Sequence, residues 1–158
     1  MNENIVQEVF DLLMKQGMTF ASAESCTGGN IAHQITLIAG SSNIFKGTAV
    51  TYATPMKTKV LGVPAQTIEK YGVVSQQVVE SMATGVRDLM EADFGVATTG
   101  VAGPSGGTAL TPVGTVWIGV ASKKGVTSKC FHFKGDRVEV INQATFAAYE
   151  MLKQQIID

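Results

Sequence analysis

Between Thr19 and Ile38 the chain changes its hydrophobic period, and that change dictates much of what it can fold into. Thr19 to Ser22 are short or β-branched residues that read as a buried strand entering a turn. Beyond Gly28-Gly29 the apolar residues Ile31, Ile35 and Ile38 recur at helical spacing, which predicts a helix over Gly28–Ile38. A strand that passes to a helix through Glu24-Ser25-Cys26-Thr27-Gly28-Gly29 gathers hydroxyls and backbone N–H groups at the positive end of a helix dipole. Such a point suits an anion, a phosphate or a developing oxyanion. The plainer role of a serine there is an N-cap.

The alternation continues along the chain. Ile5, Val6, Val9, Phe10, Leu13 and Met14 mark a first helix that Gly17 stops. Gly40-Ser41-Ser42 opens a loop, and Thr48–Tyr52 is strand-like. Pro55 suits the first turn of a short helix reaching Leu61, and Pro64–Tyr71 holds another turn or two before Gly72. Ser75 caps a long helix whose apolar face is Val78, Val79, Met82, Val86, Leu89 and Met90. Phe94–Thr98 is a compact buried strand, and the Gly-, Pro- and Thr-rich stretch Thr99–Gly114 is a loop too long to be idle. Thr115–Ser122 and Val126–Phe133 form a hairpin through Lys123-Lys124-Gly125. Asp136 caps a final helix with Val140, Ala144, Ala147, Ala148, Met151 and Leu152 inward. The order α-β-α-β-α-α-β-β-β-α predicts one α/β domain over residues 1–158, a three-layer α/β/α sandwich with a mixed, mainly parallel sheet.

Composition narrows the function classes. A chain of 158 residues buries roughly 68–70% of its unfolded surface and needs no disulfide or metal staple. With 12 basic against 13 acidic residues and only Lys123-Lys124 adjacent, nothing offers a nucleic-acid footprint. The opening Met1-Asn2-Glu3-Asn4 lacks the basic start of a signal peptide, and Asp11 and Lys15 interrupt the first apolar helix, so no membrane span is expected. Cys26 and Cys130 do not make a disulfide framework, which points to a reduced, cytoplasmic protein. No His, Cys or carboxylate spacing suggests a metal, and no cofactor is expected. The apolar composition and alanine-rich last helix point to a homo-oligomer, a dimer or higher.

Three loops converge at one sheet edge in such a fold: Glu24–Gly29, Tyr52–Lys57 and Thr99–Gly114. The first offers Ser25 as a nucleophile. A serine needs a base, and His33 and His132 lie inside a helix and a strand, which leaves no imidazole candidate. A lysine serves when desolvation or a neighbouring phenol lowers its pKa. Ser25, Tyr52 and Lys57 therefore make a sensible set for attack on an amide carbonyl. Each also has a plainer role: Tyr52 as a half-buried sheet aromatic, Lys57 as a solvated helix residue. Cys26 is the rival nucleophile or, more simply, a small buried hydrophobe. Gly103-Pro104-Ser105-Gly106-Gly107 lacks the Gly-Lys-Ser/Thr ending of a Walker loop and reads as a tight turn or a phosphate cradle.

Together these segments resemble the CinA C-terminal-domain family. The motifs are Ala23-Glu24-Ser25-Cys26-Thr27-Gly28-Gly29, Phe45-Lys46-Gly47 with Val50-Thr51-Tyr52, Lys57, Leu61-Gly62-Val63 and Tyr71-Gly72-Val73-Val74-Ser75. Thr99-Gly100-Val101-Ala102-Gly103-Pro104-Ser105-Gly106-Gly107-Thr108, Pro112-Val113-Gly114-Thr115-Val116 and Phe133-Lys134-Gly135-Asp136-Arg137 complete the series. The resemblance implies a stand-alone amidase that converts nicotinamide mononucleotide to nicotinate mononucleotide and ammonia in pyridine-nucleotide salvage. It implies catalytic roles for Ser25, Tyr52 and Lys57. Substrate contacts are then expected from Cys26, Thr27, Gly28, Gly29, Thr99, Gly100, Gly103, Gly106, Gly107, Thr108 and Arg137. The chain departs from the family pattern at Ala53-Thr54-Pro55-Met56, at Thr111, where lysine is common, and at Ile141, where a second arginine is usual. The departures at Thr111 and Ile141 support the alternative of a non-catalytic nucleotide-binding or assembly module with the same fold.

Overall fold

In the computed structural model, which describes residue 2 and residues 4–158, the first strand sorts its side chains between two unlike layers. This strand, β1 (Phe20–Glu24), is buried throughout. Phe20 joins one apolar cluster, while Ala21 and Ala23 join the other on the opposite face. Residues 1 and 3 of the opening segment lie outside the described residues.

Four further strands complete the sheet: β2 (Phe45–Val50), β3 (Phe94–Gly100), β4 (Thr115–Ser122) and β5 (Gly125–His132). Their order is β2-β1-β3-β4-β5. β1 runs parallel to β2 and β3, while β4 is antiparallel to both β3 and β5, so β4 alone opposes the common direction. The sheet is mixed and mainly parallel in strand direction, as the order of elements predicts.

Helices α1 (Ile5–Gln16), α2 (Asn30–Thr36) and α6 (Arg137–Ile157) cover one face. Helices α3 (Thr54–Leu61), α4 (Ala65–Tyr71) and α5 (Gln76–Met90) cover the other. The α5 face of the sheet carries Ala21, Ala23, Gly95, Ala97, Gly119 and Ala121. These small residues let α5 lie close: a Cβ on Gly95 would meet the backbone of Arg87 at 3.1 Å. The α1/α2/α6 face instead carries Phe20, Phe94, Val96, Val116, Ile118 and Val120. The strands thus alternate small with large over most of their length, Trp117 being the large exception on the α5 face.

Several boundaries differ from the sequence reading. β1 starts at Phe20 and runs on to Glu24, because Glu24 satisfies its carboxylate inside the fold. β2 runs over Phe45–Val50, which leaves Tyr52 beyond the strand. α2 is shorter than Gly28–Ile38, since Gly28 and Gly29 hold left-handed backbone conformations with φ of 60° and 101°. A 3-10 turn at Ser41–Asn43 sits in the predicted loop. On α5, Leu89 is exposed rather than on the packed face. The caps hold as read: Ser75 accepts from the Val78 amide, and Asp136 and Glu139 form a capping box.

Candidate active site

Adjacent parallel strands whose following helices leave to opposite faces create a crevice beyond their carboxyl ends. β1 leads to α2 on one face and β2 leads to α3 on the other. Ser25 follows β1 directly, and Thr51-Tyr52 follows β2.

Lys57 enters this crevice from α3. Its helix turns Lys57 and Leu61, one turn apart, towards the core. A lysine therefore occupies the stripe where an apolar residue would pack, and it is only 1% exposed. Its Nζ donates to the Thr51 carbonyl at 2.6 Å and to Ser25 Oγ at 3.0 Å. Burial pushes its pKa below the ordinary lysine value, against a smaller opposing effect from Cys26. Lys57 is a core residue, not the solvated helix residue of the plainer reading.

Ser25 is not an N-cap. The N-cap of α2 is Gly29, and the anion at this helix start is the chain's own Glu24, fully buried. Glu24 Oε1 accepts from Thr27 Oγ1 at 2.7 Å and from the amides of Ile31 at 3.0 Å and Gly29 at 3.1 Å. Oε2 accepts from the Ala32 amide at 3.1 Å, with the hydroxyls of Ser22 and Thr48 at 3.1 and 3.0 Å. Thr27 Oγ1 also lies 3.0 Å from Thr98 Oγ1, which accepts from the Ser25 amide at 3.5 Å. The turn that carries Ser25 is thereby tied to a buried carboxylate on one side and to β3 on the other.

Cys26 lies beside Ser25, but burial pushes its thiol up to about 12. At neutral pH it is a protonated, enclosed side chain rather than a thiolate nucleophile.

An inner cavity of about 180 Å³ lies over this pair, lined by Ser25, Cys26, Lys57, Thr99 and Gly100 among others. An outer groove of about 540 Å³ adjoins it, with Gly103, Gly106, Thr108 and the exposed Leu110 along its wall. Tyr52 and Arg137 line both spaces and so stand at the passage between them. Arg137 donates from Nη1 to the Gly103 carbonyl at 2.7 Å and from Nη2 to Tyr52 Oη at 3.0 Å. Tyr52 is 61% exposed, and among the described residues its hydroxyl bonds Arg137 rather than Ser25 or Lys57.

The sequence-derived site residues therefore fall into four groups. Ser25, Lys57, Cys26, Tyr52, Thr99, Gly100 and Arg137 meet at the inner cavity, and Gly103, Gly106 and Thr108 at the outer groove. Thr27, Gly28 and Gly29 line neither space: the Thr27 hydroxyl and Gly29 amide serve Glu24, and Gly28 is exposed, its amide closing the turn on the Ser25 carbonyl. Gly107 lines neither space and abuts the Val113 backbone. Thr99 spends its hydroxyl on the Val73 carbonyl at 2.9 Å, which pins the Gly72–Val74 wall. The sequence reading missed the Thr51 carbonyl, the Thr98 hydroxyl and the inward carboxylate of Glu24. Only Glu24 carried a signal, as an acid beside an otherwise apolar strand.

The family described as CinA C-terminal domain matches residues 2–156 of the chain. A CinA-like protein of Flavobacterium psychrophilum is 49% identical over 146 residues, covering 92% of this chain and 35% of that protein. A CinA-like protein of Fervidobacterium nodosum is 44% identical over 149 residues, covering 94% and 36% respectively. The chain thus spans little over a third of the length of these curated relatives. The crystal structure of the competence/damage inducible protein CihA from Agrobacterium tumefaciens superposes with a TM-score of 0.95 at 35% identity, covering 99% of this chain and 95% of that one. A CinA superfamily protein from Escherichia coli gives 0.92 at 34% identity, covering 97% and 89%.

Proposed function

Because the chain belongs to the CinA C-terminal domain family, we propose that its crevice carries the amidase activity the resemblance implies. The substrate is nicotinamide mononucleotide, and the products are nicotinate mononucleotide and ammonia. The observation that carries the reading is the direct contact between Ser25 Oγ and the buried amine of Lys57. A lysine whose pKa is lowered by burial supplies a neutral amine more readily than a solvated one, and only the neutral amine takes a proton.

In this reading Ser25 Oγ attacks the carboxamide carbon while its proton passes to Lys57 Nζ. The amides of Cys26 and Thr27, neither of which donates to a backbone carbonyl among the turn and loop bonds of the described residues, would stabilise the oxyanion. The C–N bond then breaks, and the leaving nitrogen takes the proton from Lys57 and departs as ammonia. Water, deprotonated by the same amine, attacks the ester on Ser25 and releases the carboxylate. Lys57 reaches Ser25 without a phenol between them, so Tyr52 acts at the passage, where it and Arg137 meet the nucleotide. The outer groove falls within the ~300–1,000 Å³ range of small-molecule sites and receives the ribose and phosphate. The proposal includes a cytoplasmic setting, a homo-oligomeric state and no need of a cofactor or metal.

Incubation with nicotinamide mononucleotide is the test. Ammonia and nicotinate mononucleotide are expected in equal amounts. Recovery of intact substrate after incubation with folded protein overturns the proposal and favours a binding module.

A further inference from the structure

We propose that Glu24 is a positioning residue for the nucleophile: its carboxylate locks the Ser25–Thr27 turn so that Ser25 Oγ rests on Lys57. The inference deepens the serine–lysine reading above and rests on it. Three backbone amides, from Gly29, Ile31 and Ala32, and the Thr27 hydroxyl converge on this one carboxylate. Ser22 and Thr48, register partners on β1 and β2, add hydroxyls from below. Both oxygens thus receive backbone N–H donors that cannot reverse direction.

That constraint is stricter than ordinary capping. An anion bound from outside could come and go, but this one is attached to the residue before Ser25. The chain leaves β1 at Glu24, so fixing that side chain on α2 fixes the path of the next residue. The link is continued by Thr27 Oγ1, which joins Glu24 to Thr98 and through it to the Ser25 amide. Glu24 itself lines neither the inner cavity nor the outer groove. It acts on Ser25 and not on a ligand.

Glu24→Gln keeps the size but brings an NH₂ group against at least one backbone N–H, whichever way the amide is turned. The readout is the rate at which a fluorophosphonate labels Ser25, located by peptide mass spectrometry, alongside kcat and KM for nicotinamide mononucleotide. Labelling and kcat are expected to fall about 100-fold, the scale of a 1 Å misplacement, while KM stays within a few-fold. Thr27→Val leaves all three backbone donors on Glu24 and provides a variant expected to fold. It should lower labelling about 10-fold, with Thr27→Ser recovering most of the loss, on the scale of one buried hydrogen bond. Wild-type labelling rates in folded Glu24→Gln and Thr27→Val overturn the proposal. So does a Thr27→Val loss that Thr27→Ser does not recover. A wild-type protein that labels at Ser25 but releases no ammonia sinks the amidase reading while leaving the labelling test of Glu24 intact.

Discussion

Lys57 Nζ lies 3.0 Å from Ser25 Oγ although the two residues stand 32 positions apart in the chain. One is delivered by the end of β1, inside the sheet, and the other by the inward stripe of α3, on one of its faces. The sheet edge is what joins them, and the burial that makes the amine useful also makes it costly.

The cost gives a pH prediction. The pKa of folded Lys57 lies below its unfolded value, so between the two the unfolded chain binds more protons and stability rises with pH. The penalty is complete below the lowered folded pKa and vanishes above the free-lysine value of ~10.4. Lys57→Met removes this dependence and, on the proposed mechanism, abolishes turnover. The difference in unfolding free energy, variant minus wild type, should therefore become smaller or more negative as pH rises towards the free-lysine value of ~10.4. A difference independent of pH contradicts the assignment of Lys57 as a buried, depressed amine.

On the serine–lysine proposal the same titration governs activity. Only neutral Lys57 accepts the Ser25 proton, so kcat/KM should rise with pH and level off below the ordinary lysine range. A profile that is flat through the whole accessible range argues against an amine base.

Cys26 predicts inertness. With its thiol pushed up to about 12, native protein should resist iodoacetamide at neutral pH, and Cys26→Ala should keep its rate within a few-fold. Rapid alkylation with loss of ammonia release would return Cys26 as the nucleophile.

Arg137 bridges Gly103 and Tyr52 at the passage between the two spaces. If it meets the nucleotide phosphate, Arg137→Met should raise KM for nicotinamide mononucleotide about 10- to 100-fold, the value of one charge-assisted contact. The corresponding riboside, which lacks the phosphate, should be turned over equally by both proteins. An equal loss for both substrates would place Arg137 in shaping the passage instead.

Tyr149 offers a check on the fold. Its buried hydroxyl donates to the Ile31 carbonyl at the start of α2. Tyr149→Phe removes this buried hydrogen bond from a carbonyl that belongs to α2, and denaturant unfolding should show a loss of about 0.5–1.5 kcal/mol. An unchanged midpoint would mean that the contact adds nothing net to the fold.

Much of the architecture was legible because each layer writes its own period. The small residues of β1 and β3, the caps at Ser75 and Asp136, and the hairpin at Lys123-Lys124 all read directly. The convergence of the loops carrying Ser25, Lys57 and Gly103 followed from strands running together, whereas Arg137 entered only through the family resemblance. What did not read was direction. Local pattern makes Lys57 a polar helix residue, and only the crevice between β1 and β2 shows that it faces inward. Glu24 misled in the opposite sense: the amides expected to meet a substrate anion are taken by the chain itself. Tyr52 stands outside β2 and on Arg137, a partner 85 residues away that no local spacing could supply.

Ammonia release from nicotinamide mononucleotide by matched wild-type and Ser25→Ala proteins tests the serine–lysine account most directly. The account predicts steady release by the wild type and a loss on the order of 10³-fold or more in the variant, with the variant still folded and still binding the nucleotide. Release by Ser25→Ala at the wild-type rate would contradict it.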